Sequence, residues 1–124
     1  MSNREEFSDE IIELVRRLHE LTTIVYGSSF LTILNFYLNE EREGRGAQKK
    51  EVFTLFLEEP REAYEYMLHF FKKELAMKIF LESLFVKTCQ ETAKREWMVN
   101  KLISSLKENN HDEVLRCLLE LSQV

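Results

Sequence analysis

Three histidines, two cysteines, a few paired carboxylates and one Gly-Arg-Gly tripeptide are the residues in this 124-residue chain whose types could do chemistry. His19, His69 and His111 stand alone, and none pairs with another His, Cys or carboxylate at a metal-ligand spacing. His69, flanked by Leu68 and Phe70, reads as a partly buried, hydrogen-bonded histidine. Cys89 and Cys117 form no C-x-x-C or Cys/His pattern and read as small buried hydrophobes. A nucleophile would need a base beside it, and nothing in the sequence places one there. Glu5-Glu6 and Glu58-Glu59 fall on polar surfaces without the apolar enclosure that raises a catalytic pKa. Gly44-Arg45-Gly46 lacks the lysine and hydroxyl residue of a phosphate-binding loop, and no strand precedes it. We therefore expect no enzyme, no catalytic residues, no metal and no cofactor.

What remains is a question of surfaces, and residues 60–109 dominate it. After Pro60 about fifty residues pass without Gly or Pro, while apolar side chains return at helical spacing. One stripe runs through Met77, Phe80, Leu81, Leu84 and Phe85 and resumes with Met98, Val99, Leu102, Ile103 and Leu106. A second, on another side, carries Leu75, Ile79, Val86, Ala93 and Trp97. The first stripe lapses at Thr88, Glu91, Thr92 and Arg95, which marks a bend or the end of a partner's cover. Another break is possible at Lys72-Lys73-Glu74. The spacing predicts helix throughout, in an open number of segments. A helix that is apolar on two sides must be covered on two sides, so Phe80, Leu81, Phe85, Trp97 and Met98 are the expected interface with a second copy or a protein partner.

Composition sets the class. One Pro and three Gly are too few for a sheet built on tight turns. With 44% hydrophobic and 31% charged residues the balance is that of a globular domain with its own core. No run of eighteen apolar residues and no secretory leader is visible, so a cytoplasmic location is expected and no membrane association. The net charge of −5 disfavours nucleic acid as a general partner. Residues 72–108 are nevertheless locally basic, with eight Lys/Arg against five Glu. Within them Lys87, Lys94 and Lys101 recur every seven residues, which on one helix would line them up roughly 10 Å apart. That row is a possible anion or nucleic-acid face.

In chain order, residues 1–7 are expected to fray, and Ser8 or Asp9 to cap a first helix with Ile11, Leu14, Val15, Leu18, Leu21, Ile24 and Val25 on its packed side. Gly27 should end it, with Ser28 or Ser29 capping the next. Phe30 to Arg42 is the most hydrophobic segment and is expected to be the central, most buried helix. Residues 43–48 read as the one mobile loop. A short helix over residues 49–58 follows, with Pro60 opening the next as its first residue. The pair resembles a DNA-reading helix-turn-helix in outline, but the acidic start of its second helix, Glu62 and Glu65 behind Glu58-Glu59, is repelled by phosphates. Asn110, with Glu113 three residues on, should cap a last helix from His111 to about Leu121 that folds back on residues 97–108.

Tyr26-Gly27-Ser28-Ser29 opening an apolar helix with Ile33, Leu34, Tyr37 and Leu38, a polar loop, and Pro60 followed by Tyr64, Leu68 and Phe71 resemble the small helical signal-transduction domain of archaea called the Nitrososphaera output domain. The resemblance covers residues 10–86. It implies an archaeal cytoplasmic protein that acts by binding, and carries no catalytic residue over. The chain departs from it at Phe71, which Lys72-Lys73 follows where such domains tend to have glycine. The expected architecture is all-α, a compact single-domain bundle of five or six helices over residues 1–124, with a long central stretch near 60–108. The expected role is a protein-interaction or regulatory domain, homodimeric or bound to a partner. A nucleic-acid-associated regulator or viral accessory protein and an apolar-ligand-sensing bundle are the alternatives.

Overall fold

The computed structural model describes residues 2–123, with side chains from Asp9 onward, so Glu5, Glu6 and Ser8 lie outside the described side chains. Seven helices account for nearly all of it: α1 (Ser2–Tyr26), α2 (Ser28–Gly44), α3 (Val52–Glu58), α4 (Pro60–Phe71), α5 (Glu74–Leu84), α6 (Thr92–Lys107) and α7 (His111–Ser122). The all-α class is as expected, and no strand occurs among the described residues. The helix count is one or two higher than expected because the stretch from Pro60 to Lys107 breaks twice. α1 also begins well before Ser8.

Both breaks have local causes. Lys72 adopts the left-handed conformation (φ 72°) and donates its N–H to Leu68 O, closing α4 without a glycine. Residues 85–91 leave the helix as turns. The polar residues that interrupt the first stripe build that turn: Thr88 Oγ1 donates to Leu121 O at 2.7 Å, and Arg95 Nη1 to Cys89 O at 2.8 Å. A continuous helix would have left Thr88 and Arg95 facing the core without partners. Helix throughout residues 60–108 is thus corrected to three helices and a seven-residue turn.

The junctions elsewhere follow turn chemistry. Gly27 (φ 85°) turns the chain by 117° between α1 and α2, and α2 starts without a serine side-chain cap. Glu51 caps α3, its carboxylate accepting from the N–H groups of Phe53 and Thr54. Pro60 opens α4 as its first residue. Asn109 takes φ 56°, and the Asn110 side chain accepts from Glu113 N to start α7, which packs against α6.

α1 and α4 are the organising helices. α1 packs on α2, α3, α5 and α7, and α4 on α2, α3, α5 and α6. The core between them holds Leu14, Leu18 and Leu21 from α1 and Ala63, Tyr66 and Met67 from α4. Phe53 and Phe56 close it from α3, and Met77, Phe80, Leu81 and Leu84 from α5. The expectation that α2 is the most buried helix fails. Only Leu34, Leu38 and Arg42 of α2 are buried, and Phe36 is 67% exposed. α2 is apolar around most of its circumference, but its neighbours cover one side.

Residues 45–51 are laid against α2 by side-chain bonds. Arg42 Nε donates to Gln48 O, Asn39 Oδ1 accepts from Lys50 N, and Asn35 Oδ1 accepts from Val52 N. Asn35, Asn39 and Arg42 lie three or four apart on one face of α2 and serve as a rack for this segment. No single helix among the described residues is long and apolar enough to cross a membrane, while α1 and α2 pass that test only as a sharply bent pair.

Candidate interaction surface

α5 carries two apolar faces, and the fold separates them. Met77, Phe80, Leu81 and Leu84, spaced i, i+3, i+4 and i+7, point into the core. Leu75 and Ile79 lie on the opposite side, 65% and 56% exposed, and Val86 beyond the helix end continues the strip. Ser83 interrupts it only formally, because its hydroxyl donates to Ile79 O one turn back and is satisfied locally.

Beside this strip stands the C-terminal turn of α1. Leu21, Ile24 and Val25 face Ser83, Leu84 and Val86 across a groove of about 320 Å³, with Lys87 at its edge. Ile24 and Val25, expected on the packed side of the first helix, are exposed. Behind α5, on its core side, aromatic rings interlock. Tyr26 stacks on Phe30 at 4.8 Å, and Phe80 meets Tyr26, Phe30 and Phe71 at 5.5, 5.4 and 5.1 Å between ring centroids. Phe70 extends the cluster by packing edge-on against Phe30, Tyr37 and Phe71. The helix that carries the exposed strip is thus backed on its core face by packed aromatics.

The structure redistributes the residues expected to form an interface. Phe80, Leu81, Phe85 and Met98 are all buried within the chain's own core. They lie on the first stripe, which α1, α4 and α6 cover, so no partner reaches them in this fold. Trp97 alone of the five is at the surface, 59% exposed, with Lys101 Nζ above its ring at 4.8 Å. The second stripe, Leu75, Ile79, Val86, Ala93 and Trp97, is the exposed one. The turn over residues 85–91 divides it between α5 and α6.

The basic row does not form either. Lys87 belongs to the turn after α5, whereas Lys94 and Lys101 are on α6, so the seven-residue spacing spans two segments. Lys101 is engaged with Glu113 at 3.0 Å, and Lys94 lies beside Leu119, Glu120 and Gln123. The cations without an ion pair near the α5 strip are Lys72, Lys73 and Lys87, all exposed. On α5 itself Glu74 is held by Lys107 at 2.8 Å and by Tyr64 OH at 2.6 Å, and these partners keep its carboxyl below the usual range. Lys78 pairs with Glu96, and among the described residues the half-buried Glu82 has no ion pair.

The chemically capable side chains are dispersed. Cys89 and Cys117 are free and buried, and burial pushes the Cys117 thiol up to about 11. His69 is exposed, not partly buried, with Nδ1 3.4 Å from Glu41. His111 Nε2 donates to Glu58 O at 3.0 Å. His19 Nε2 lies 2.7 Å from Glu51 Oε1, off the hydrogen-bond line, and neither atom has another partner. Contact with that carboxylate raises the His19 pKa against the opposing effect of burial. Among the described residues no three His, Cys, Asp or Glu are grouped to hold a metal.

A second groove, about 300 Å³, lies between Ile11, Leu57 and Leu115, with Thr54, His111, Asp112 and Glu58 at its margins. Its lining is also largely apolar. The buried stripe mixes Met and Phe with aliphatic Leu81, Leu84, Val99 and Leu102, and the exposed one mixes aliphatic residues with Trp97, so no signal in the sequence separates surface from core on α5. The chain matches no protein-family model, no curated protein and no solved structure.

Proposed function

We propose that this chain is a non-enzymatic protein-interaction or regulatory domain whose working surface is the aliphatic strip Leu75, Ile79 and Val86 together with Ile24 and Val25. One observation carries the reading: Leu75, Ile79 and Val86 stand exposed along α5 and just beyond its end, and Val86 meets the exposed Ile24 and Val25 of α1 around a groove. Isolated exposed apolar residues are ordinary on a protein surface, but a clustered set around a concavity marks a place where another protein docks. Phe80 on the core face of α5 packs against Tyr26, Phe30 and Phe71, and a helix held this way presents its outer face at a lower cost of binding. Nucleic-acid association through Lys87, Lys94 and Lys101 is the weaker reading, since the three do not share one helix face and Lys101 is tied to Glu113.

The test compares the wild-type chain with an Ile79→Glu, Val86→Glu double variant, both at exposed positions that leave the core intact. Light scattering across a dilution series reads self-association, and an extract of the source cells reads heterotypic association. The reading expects an association in the wild type that the double variant loses. Associations of the two proteins that are identical, or none of either kind, would end it.

A further inference from the structure

Charge around the strip defines what covers it. Lys72 and Lys73 stand at the N-terminal end of α5, next to Leu75, and Lys87 stands at the other end, on the edge of the groove with Val86. All three are exposed, and among the described residues none has a carboxylate within 4 Å. The chain as a whole is acidic, with a net charge of −5, so an aliphatic strip bracketed by free lysines is a local inversion. α5 rises roughly 15 Å from Glu74 to Leu84, and the lysines bracket it from beyond its two ends, Lys72 and Lys73 before it and Lys87 in the turn after it. At physiological salt the screening length is about 8 Å, so each end must find its own counter-charge.

We infer, resting on the protein-interaction reading above, that the strip takes an acidic amphipathic helix of a different protein. Aliphatic side chains at i, i+4 and i+11 of that helix, about three turns end to end, meet Leu75, Ile79 and Val86, one of them entering the groove beside Ile24 and Val25. Carboxylates about three to four turns apart on it meet Lys72 and Lys73 at one end and Lys87 at the other. A second copy of this chain fits poorly. A two-fold contact sets strip on strip, and whether the helices cross parallel or antiparallel, lysine faces lysine at both ends. An anionic bilayer fits less well than a helix, because the surface is a groove and because the rest of the chain is acidic and repelled by such a surface.

The test uses a labelled helical peptide of about five turns, with leucines at i, i+4 and i+11 and glutamates at both ends. A second peptide carries lysines in place of the glutamates. Fluorescence anisotropy measures binding to the wild-type chain and to the Lys73→Glu, Lys87→Glu variant, which alters exposed, unpaired positions only. The inference expects the acidic peptide to bind at least about tenfold tighter than the basic one, the preference to shrink with salt, and the charge-reversed variant to invert it. Equal binding of both peptides overturns the acidic partner while leaving the docking strip intact. Concentration-dependent dimerisation that Ile79→Glu abolishes, with no binding of either peptide, assigns the strip to a second copy and overturns the inference but not the function. Binding to phosphatidylserine-containing vesicles without binding to the acidic peptide overturns it in favour of a membrane. Absence of every association ends both.

Discussion

Arg42 Nη1 lies 2.6 Å from Glu62 Oε1, joining the end of α2 to the first turn of α4 through a guanidinium that is only 5% exposed. The same Nη1 reaches Glu59 at 3.3 Å, Arg42 Nε donates to Gln48 O, and Tyr66 OH donates to Glu62 Oε1. Burial pushes the Glu59 carboxyl up, but Lys50 and Arg42 together hold it below its ordinary value. This buried cation is the knot that ties residues 45–51 and the α3–α4 junction to α2. Removing it leaves two carboxylates and a carbonyl short of a partner. Arg42→Ala should cost about 3 kcal/mol in denaturant unfolding. Glu62→Gln should cost less, and the double variant should fall short of the sum, since the two share one interaction. Additive costs would show that the pair is not coupled.

Lys72 holds a left-handed conformation that an ordinary side chain adopts at a cost. Lys72→Gly should therefore raise stability by about 0.5–1 kcal/mol, although glycine loosens the unfolded chain, and Lys72→Val should lower it by a similar amount. Thermal melts of the two variants read the sign directly.

His19 predicts the pH response. Its folded-state pKa is raised above the ordinary 6.5 by Glu51, so the stabilisation is fully present below about 6.5 and is lost as pH rises through the higher folded value. The groups facing the ring are Glu51 at 2.7 Å and the Phe53 ring at 5.8 Å. Denaturant midpoints should fall on going from about pH 6 to about pH 8, and His19→Gln should flatten that fall. The ring is partly open to water, so the slope is modest.

The Asn110 side chain accepts from Glu113 N at the start of α7. Asn110→Ala removes this cap and should cost about 1 kcal/mol, whereas Asn110→Asp should be nearly neutral. The readout is the unfolding free energy, with helix content unchanged in both.

Both cysteines are buried and the Cys117 thiol is held protonated well above neutral pH. Labelling by a thiol reagent at neutral pH should be slow in the native state and complete only on unfolding. Rapid labelling of either thiol without unfolding would contradict their burial.

Much of the architecture was legible because it is written in local chemistry. Periodicity showed an all-helical chain, and Gly27, Pro60 and Asn110 marked boundaries that depend on backbone conformation and capping within a few residues. The lapse of the first stripe at Thr88 and Arg95 flagged the turn that the structure places at residues 85–91. What no local signal contains is which apolar face meets another helix. Both faces of α5 repeat at helical spacing, and Phe85 and Ile79 look equally able to bind a partner from sequence alone. Burial is decided by where α1, α4 and α6 come to lie, and those positions depend on contacts between residues far apart in the chain.

Hence composition and spacing by themselves determined an α-helical chain, its boundaries at Gly27, Pro60 and Asn110, and the scatter of its reactive side chains. Only the tertiary structure decided that Phe80, Leu81, Phe85 and Met98 are core and that Leu75, Ile79 and Val86 are surface. It also decided that the row Lys87, Lys94 and Lys101 is broken by a turn. The physical reason is that a helix specifies the angular position of each side chain about its own axis, whereas exposure depends on which neighbours occupy the space around that axis.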